Sequence, residues 1–247
     1  MMKNYKAETY GESYAESYDD WHNAPADEAV KTLRELAGGG RALELGVGTG
    51  RVAIPLAAEG VEVHGIDASP AMVERMRAKP GGERVHVTIG DFADVGAAGE
   101  FSLVFVVFNT IFMLLSQEEQ TRCFRNVAAR LGEGGVFVVE AFVPDMKRYE
   151  GGQAVKTTAI ADDEVILEVS RLDAARQHVT SQRVVLGGGG VRLFPIQIRY
   201  AWPSELDLMA QLAGLRLRER WGGWRREPFD SASGKHVSVY ERVTSSS

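Results

Sequence analysis

The sequence predicts an α/β protein built on a mostly parallel sheet, with a second, antiparallel sheet inserted into it or packed on it. Between Ala42 and about Phe142, short apolar segments alternate with segments of helical periodicity. The strand segments are apolar on both faces, as in a parallel sheet covered by helices on both sides. After Pro144 the pattern changes to period-two alternation with little helix signal, which is typical of antiparallel strands.

Five strands and three helices account for the first part of the chain. The predicted strands are "RALEL", "VEVHGID", "VHVTIGD", "FSLVFVVFN" and "GVFVVEAF", and the first two helices are "RVAIPLAAEG" and "SPAMVERMRAK". Ser69 is suited to cap the second helix, with Pro70 at its first position, where a missing N–H costs nothing. Pro55 is expected within the first turn of the first helix. The third helix runs from about Ser116 to Leu131.

The second part predicts four antiparallel strands and then a return to the main sheet. The four strands are "AVKTTAI", "EVILEVSRL", "HVTSQRVVL" and "VRLFPIQIRYAW". Pro195 indicates an edge strand or a bulge in the last of them. The apolar face of this sheet must be covered by the main domain or by a second subunit. A helix, "PSELDLMAQLAG", and two strands, "LRLRERW" and "HVSVYERV", follow, with Arg216, Arg218 and Arg220 expected on the solvent face.

Composition excludes several function classes. The 247 residues carry a net charge of −6 with a pI near 5.5, which argues against a nucleic-acid binder. Cys123 is the only cysteine and the five histidines form no H-x-x-H or H-x-x-x-H pair, so we expect no metal site. No apolar run reaches the roughly 18–20 residues of a membrane span. The polar N-terminal segment is unlike a signal sequence, and we expect a cytoplasmic protein.

The segment "ALELGVGTGR", Ala42 to Arg51, predicts a ligand-binding loop. A strand that runs into glycines and then a helix presents backbone N–H groups and a positive helix end to a ligand. Gly46, Gly48 and Gly50 let the backbone approach that ligand closely. The same pattern fits a dinucleotide, a methionine-bearing nucleoside or a plain tight turn, so the loop alone does not choose between them.

Three carboxylates narrow the choice of ligand. Glu44 precedes the glycines, where it would repel a pyrophosphate but suit the amino group of an amino acid. Asp67 ends the second strand and is placed to accept hydrogen bonds from ribose hydroxyls. Asp91 follows the third strand, with Phe92 beside it, and is placed for an adenine amino group. The alternative is that these groups cap helices or face solvent; as a set at one sheet edge they favour a cationic adenosyl ligand over NAD.

The motifs "ALELGVGTGR", "VEVHGIDASPAM", "VTIGDF" and "FNTIFML" resemble the successive cofactor motifs of class I S-adenosylmethionine-dependent methyltransferases. The likeness covers about residues 40–145, and the two closing strands resemble that family's final pair, whose last strand is antiparallel to the others. It implies a Rossmann-like seven-stranded sheet and a reaction that leaves S-adenosylhomocysteine. The cofactor-binding residues that it implies, together with two tyrosines of an N-terminal lid, are Tyr14, Tyr18, Glu44, Gly46, Gly48, Asp67, Ala68, Met72, Asp91, Phe92, Phe108 and Asn109.

The predicted acceptor site lies at the same sheet edge. If the last strand is antiparallel, Lys235 and His236 begin there, beside the loop that carries Trp224, Arg225 and Arg226. A general base is needed only where the acceptor must lose a proton. The candidate bases are Glu140, His236 and His22, each of which could equally be structural. The aromatic residues of the N-terminal segment have helix-compatible spacing. They form either a stripe that packs in the core or a lid over the cofactor.

We therefore predict methyl transfer to the oxygen, nitrogen or carbon of a small molecule, without nucleic acid, membrane or metal, and a homodimer through the inserted sheet. The predicted organisation is a lid segment over 1–37, a cofactor-binding core over 38–145, the inserted sheet over 146–202, and the rest of the core over 203–247. The alternatives are an NAD-dependent oxidoreductase, although Gly50 follows Gly48 too closely, and a cyclase or sensor that binds the same cofactor without transferring methyl.

Overall fold

A computed structural model describes residues 5–22 and 24–243, which fold into two sheets with helices around the larger one. The seven strands of the larger sheet are β1 (Ala42–Leu45), β2 (Val63–Asp67), β3 (His86–Ile89), β4 (Phe101–Val106), β5 (Leu131–Phe142), β10 (Leu215–Trp221) and β11 (Lys235–Arg242). Their spatial order is β10-β11-β5-β4-β1-β2-β3. Strand β11 is antiparallel to both of its neighbours, whereas β1 to β5 pair in parallel. This confirms the predicted fold class.

Helices cover both faces of this sheet. They are α3 (Asp27–Ala37), α4 (Ala53–Ala58), α5 (Pro70–Arg77), α6 (Gln117–Arg130) and α7 (Pro203–Leu212). The side-chain hydroxyl of Ser69 accepts from the N–H of Met72 and caps α5, and Ser116 with Glu119 forms a capping box on α6. Pro55 lies in the first turn of α4, as predicted. Helix α3, which the prediction grouped with the lid, packs in the core through Ala29, Leu33 and their neighbours.

The second sheet is an antiparallel meander of four strands placed between β5 and α7. Its strands are β6 (Gln153–Ile160), β7 (Glu164–Asp173), β8 (His178–Gly187) and β9 (Gly190–Arg199), in that order across the sheet. Pro195 lies on the edge strand β9, opposite Gln182 of β8, as the sequence predicted for an edge strand. Val179 and Ile198 pack into the main core, while Phe194 and Ile196 pack against the N-terminal segment. The main domain and the N-terminal segment thus cover part of this sheet.

Two short helices at the N-terminus bridge the sheets: α1 (Ala7–Tyr14) and α2 (Tyr18–Trp21). We call residues 5–22 the lid segment. Gly11 packs so closely on the start of α5 that a Cβ there would overlap Ser69. On the other side, the Trp21 ring meets Phe194 of β9 edge-on, with 4.7 Å between ring centroids. The described helices include none that is long and apolar enough to cross a membrane.

Arg220 departs from its predicted solvent face, and Arg199 is buried as well. Arg220 was expected in solvent with Arg216 and Arg218, but a register shift between Leu217 and Glu219 breaks the alternation of β10. The Arg220 guanidinium therefore lies against Asp207 of α7 at 2.5 Å and is largely buried. Arg199, on the polar side of β9, is also buried, because it pairs with Glu205 at 2.6 Å and donates to Gln120.

Candidate active site

The Gly-rich loop leaves β1 at the carboxyl edge of the parallel strands. Gly46 and Gly48 both have positive φ, 73° and 54°, which favours glycine. A Cβ on Gly46 would overlap the methyl group of Thr110, whereas nothing lies within 4 Å of the corresponding position on Gly48. The loop therefore presents bare backbone to the space above the sheet edge.

Asp67 joins this loop to the start of α5. Its Oδ2 accepts from the N–H of Gly48 at 2.7 Å, and its Oδ1 accepts from the N–H of Ser69 at 2.9 Å. Burial raises the pKa of the Asp67 carboxyl, against the lowering effect of these backbone hydrogen bonds. Each carboxylate oxygen has a second lone pair, so the group is held in place and is still able to accept from a pair of hydroxyls.

Glu44 is a buried carboxyl at the same edge. It is 3% exposed, and burial raises its pKa well above the usual range, an effect that the charge of Arg51 opposes. Its Oε2 is buried and has no hydrogen-bond partner among the described residues. An unpartnered buried acceptor costs free energy until a donor reaches it, and an ammonium group is the donor that would also favour the ionised carboxylate.

A small cavity of about 80 Å³ lies between this edge and the lid segment. Its lining includes seven of the twelve predicted cofactor residues: Tyr18, Gly46, Gly48, Asp67, Ala68, Met72 and Phe92. Sequence reasoning missed the other five lining residues, Ala7, Tyr10, Gly11, Thr110 and Met113. Tyr10 had the same helical spacing as Tyr14 and Tyr18, and Thr110 and Met113 lie in the motif "FNTIFML". No specific role could be assigned to these residues from the sequence, because only the packing of the lid segment and of the turn after β4 brings them to the cavity.

Five predicted cofactor residues lie outside that lining, and two of them, Asp91 and Tyr14, have partners elsewhere in the chain. Asp91 caps a short 3-10 helix, with its Oδ1 accepting from the N–H of Ala93 at 2.9 Å. Its Oδ2 is 3.8 Å from the Arg122 guanidinium. Tyr14 is buried, and its hydroxyl donates to the carbonyl of Phe194 at 3.3 Å. The structure thus gives both residues a local structural role.

The turn after β4 holds two non-glycine residues at positive φ, Phe108 at 54° and Asn109 at 67°. Such strain persists where surrounding contacts hold the backbone, and it is concentrated at functional sites. Here the Glu140 Oε2 accepts from the N–H of Phe108, and the Asn109 Oδ1 accepts from the N–H of Phe142. The Arg51 guanidinium lies 3.4 Å from the centroid of the Phe108 ring, a contact that sequence reasoning missed.

A second cavity, of about 310 Å³, adjoins Phe108. It is lined by Trp224, Arg225 and Lys235 of the predicted acceptor site, by Glu140, and by residues 25–29. The Lys235 Nζ lies 3.4 Å from the Glu140 Oε1, so the two form an ion pair at the mouth of this cavity. Arg226, the other predicted residue of this loop, instead pairs with Glu35 on the exposed surface.

Both histidines among the candidate bases have lowered basicity. Burial, together with the charges of Arg183 and Arg51, lowers the pKa of His22 to about 4. Burial, with the charge of Arg220, also lowers the pKa of His236 to about 4. His236 is fully buried, with its Nδ1 2.8 Å from the Ser238 hydroxyl. Its side chain lies on the sheet face opposite to Glu140, so the structure does not bring these two predicted bases together.

Comparison with known proteins identifies the family. A family model for a methyltransferase domain matches residues 42–135. The chain is 30% identical to cypemycin N-terminal methyltransferase of Streptomyces sp over 201 residues, 81% of this chain and 82% of that one. It is 28% identical over 197 residues to a dTDP-4-amino-2,3,4,6-tetradeoxy-D-glucose N,N-dimethyltransferase of Saccharopolyspora spinosa, covering 75% and 77% of the two chains.

A solved structure agrees over almost the whole chain. The CcbJ methyltransferase of Streptomyces caelestis superposes with a TM-score of 0.92 at 43% identity, covering 97% of this chain and 100% of that one. The comparisons give no support to the NAD-dependent oxidoreductase alternative. The geometry of the site agrees with this result: the Gly-rich loop is open, Asp67 is placed for ribose hydroxyls, and the Glu44 Oε2 has no partner among the described residues. The chain belongs to the class I S-adenosylmethionine-dependent methyltransferases of the small-molecule type.

Proposed function

We propose that this enzyme transfers a methyl group to an amine nitrogen of a small molecule. The observation that supports nitrogen over oxygen is that neither candidate histidine is available as a base: the pKa of His22 is lowered to about 4, and His236 is fully buried. An alcohol must give up its proton during transfer, whereas an amine loses one to solvent beforehand and attacks as the neutral base. The names of two relatives, an N-terminal methyltransferase and an N,N-dimethyltransferase, support the same assignment.

The residues of the first cavity fit S-adenosylmethionine. The backbone of Gly46 and Gly48 leaves room for a ligand, Asp67 is fixed to accept from ribose hydroxyls, and the free Oε2 of Glu44 suits the methionine ammonium. Arg51, close to Glu44, is the cation available to the methionine carboxylate. When bound, the cofactor supplies an electrophilic methyl group on a sulfonium. The chain's own part is to hold donor and acceptor in line, which is worth up to about 7–11 kcal/mol in the best cases.

Each of the three candidate bases has a property that supports an amine over an alcohol as the acceptor. His22 stays neutral at physiological pH and is a weak proton acceptor. Glu140 is already engaged by the N–H of Phe108 and by Lys235, so we assign it to positioning the strained turn. His236 is a structural residue of the sheet. None of these groups needs to remove a proton from an amine that reaches the site in its neutral form.

We further propose that the lid segment closes over the cofactor and excludes water, and that the enzyme is a cytoplasmic homodimer. Lid closure would complete the first cavity with Tyr10 and Tyr18. Dimerisation is supported by exposed apolar side chains on the second sheet: Val155, Ile160, Val169, Leu186, Val191 and Leu193. Patches of this kind mark association surfaces. The acidic charge supports a reaction without nucleic acid.

Matched acceptors test the nitrogen assignment. We would measure S-adenosylhomocysteine release with amine–alcohol pairs, both neutral (cyclohexylamine and cyclohexanol) and acidic (alanine and lactate). We expect turnover with amines only, at a rate that rises with pH as the amine is deprotonated. Faster turnover of an alcohol would overturn the assignment. Binding of S-adenosylhomocysteine without methylation of any acceptor would favour the non-methylating alternative.

A further inference from the structure

Arg183 is a half-buried cation that the cofactor site does not use. It projects from β8 on the same face as Phe194, its neighbour across the β8–β9 ladder. Its Nη1 is buried without a hydrogen-bond partner, and no carboxylate of residues 5–22 or 24–243 lies within ion-pair distance of it. A guanidinium that is partly removed from water without a counter-charge lowers the stability of the fold, so an anion that reaches it is bound favourably.

The nearest carboxylate along the ladder is engaged elsewhere. Glu168 is paired directly with Arg183 across the β7–β8 ladder. Its Oε1 instead accepts from the Arg148 Nη2 at 3.1 Å, toward the end of the sheet. Glu168 is therefore paired with the exposed Arg148, and Arg183 has no acidic partner among the described residues.

Arg183 contacts the lid segment, whose aromatic residues connect it to the first cavity. Its guanidinium carbon is 4.7 Å from the centroid of the Trp21 ring, and Trp21 itself packs on Phe194. Stacking on an aromatic face fixes a guanidinium while leaving its in-plane N–H groups free to donate. Trp21 also packs edge-on against Tyr14, with 5.6 Å between ring centroids, and Tyr14 stacks on Tyr10, which lines the first cavity.

We propose that Arg183 binds a carboxylate, or a like oxyanion, of the methyl acceptor, so that the preferred acceptors are small amines that also carry an acidic group. This inference rests on the proposed function. Arg51, on the cofactor loop, serves the methionine carboxylate, which leaves Arg183 for the acceptor. A planar guanidinium offers two parallel N–H donors to a carboxylate, which fixes the orientation of the acceptor as well as its position.

The test compares amino acids with their carboxamides, which keep the amine and lose the charge. We would measure kcat/KM for alanine, valine, leucine and phenylalanine against their amides in the wild type, Arg183→Gln, Arg183→Lys and Arg171→Gln. Arg171 is exposed on the neighbouring strand β7 and is the matched control. We expect the wild type to prefer the acids at least tenfold, R171Q to match it, R183Q to lose the preference and R183K to keep part of it.

Two further readouts separate this proposal from the proposed function and from a structural role. Kd for S-adenosylhomocysteine should stay within about twofold of wild type in R183Q, and the thermal midpoint of the free protein should not fall. Equal use of acids and amides by the wild type, or a loss of S-adenosylhomocysteine affinity in R183Q, would overturn the proposal. A lower thermal midpoint of R183Q, with its preference for acids over amides unchanged, would also overturn the proposal. If S-adenosylhomocysteine fails to bind the wild type, the proposed function itself fails.

Discussion

At the residue scale, the candidate site depends on groups that serve both the fold and the ligand. Asp67 connects the Gly-rich loop to the start of α5 through two backbone N–H groups. Its position at the end of a strand was predictable from the sequence, because the strand pattern and the glycines locate the sheet edge. The role of Arg51 was not predictable from the sequence, since its contact with Phe108 depends on the left-handed turn after β4.

Asp67→Ala should weaken cofactor binding more than it weakens the fold. The change removes the acceptor for ribose hydroxyls, and hydrogen bonds to a charged group are worth about 1.5–3 kcal/mol, so we expect Kd for S-adenosylhomocysteine to rise at least tenfold. Asp94→Ala, which removes an exposed carboxylate bonded to Arg122, is the control. Calorimetric titration of both variants provides the measurement, and equal affinity in the two would exclude Asp67 from the cofactor site.

The buried His236 should lower the free energy of unfolding at acidic pH. Its pKa is about 4 in the folded protein and about 6.5 when unfolded, so the unfolded chain binds the proton more tightly. Stability is then fully present above about pH 6.5 and is lost as the pH falls toward 4, by up to about 3 kcal/mol. We expect His236→Gln to flatten this part of the profile in denaturant unfolding from pH 7 to pH 4. An unchanged slope would mean that His236 is not buried in its neutral form.

At the scale of elements, the lid segment, the turn after β4 and the second sheet meet above one sheet edge. The strand and helix order of the main domain was predictable, because apolar runs and caps mark each element locally. The placement of Arg220 was not, since a single extra residue in β10 reverses the alternation beyond it. The lining residues Thr110 and Met113 were also missed, because they follow from contacts between distant segments.

The lid segment should open without ligand and close with it. Its aromatic residues, Tyr10, Tyr14, Tyr18 and Trp21, are chymotrypsin sites whose cleavage requires local opening. We expect saturating S-adenosylhomocysteine to slow cleavage in this segment at least tenfold, as followed by mass spectrometry. Gly11→Leu, whose side chain would overlap Ser69, should reduce that protection. Equal resistance with and without the ligand would contradict the lid assignment.

At the scale of the whole molecule, a cofactor-binding core is combined with an inserted sheet that serves two purposes. Its inner face places Arg183 and Phe194 against the lid segment, and part of its outer surface is exposed and apolar. The sequence predicted the insertion from the change to period-two alternation. The sequence did not show which face of the inserted sheet meets the core, because both faces carry apolar side chains.

The exposed part of the second sheet should mediate dimerisation. We expect light scattering at micromolar concentration to give twice the chain mass of 27.0 kDa. Leu193→Asp, which places a charge on the exposed apolar patch, should give the monomer, whereas Leu212→Asp at the exposed end of α7 should leave the dimer intact. A monomeric wild type would overturn the predicted assembly.

The central claim is that the edge formed by Glu44, the Gly-rich loop and Asp67 is an S-adenosylmethionine site. The most direct measurement is thermal unfolding with S-adenosylhomocysteine and, separately, with NAD. A ligand at one hundred times its Kd stabilises the fold by ~2.7 kcal/mol, which corresponds to a few degrees in Tm. We predict that shift with S-adenosylhomocysteine alone, and its loss in D67A. No shift with S-adenosylhomocysteine but one with NAD would contradict the account.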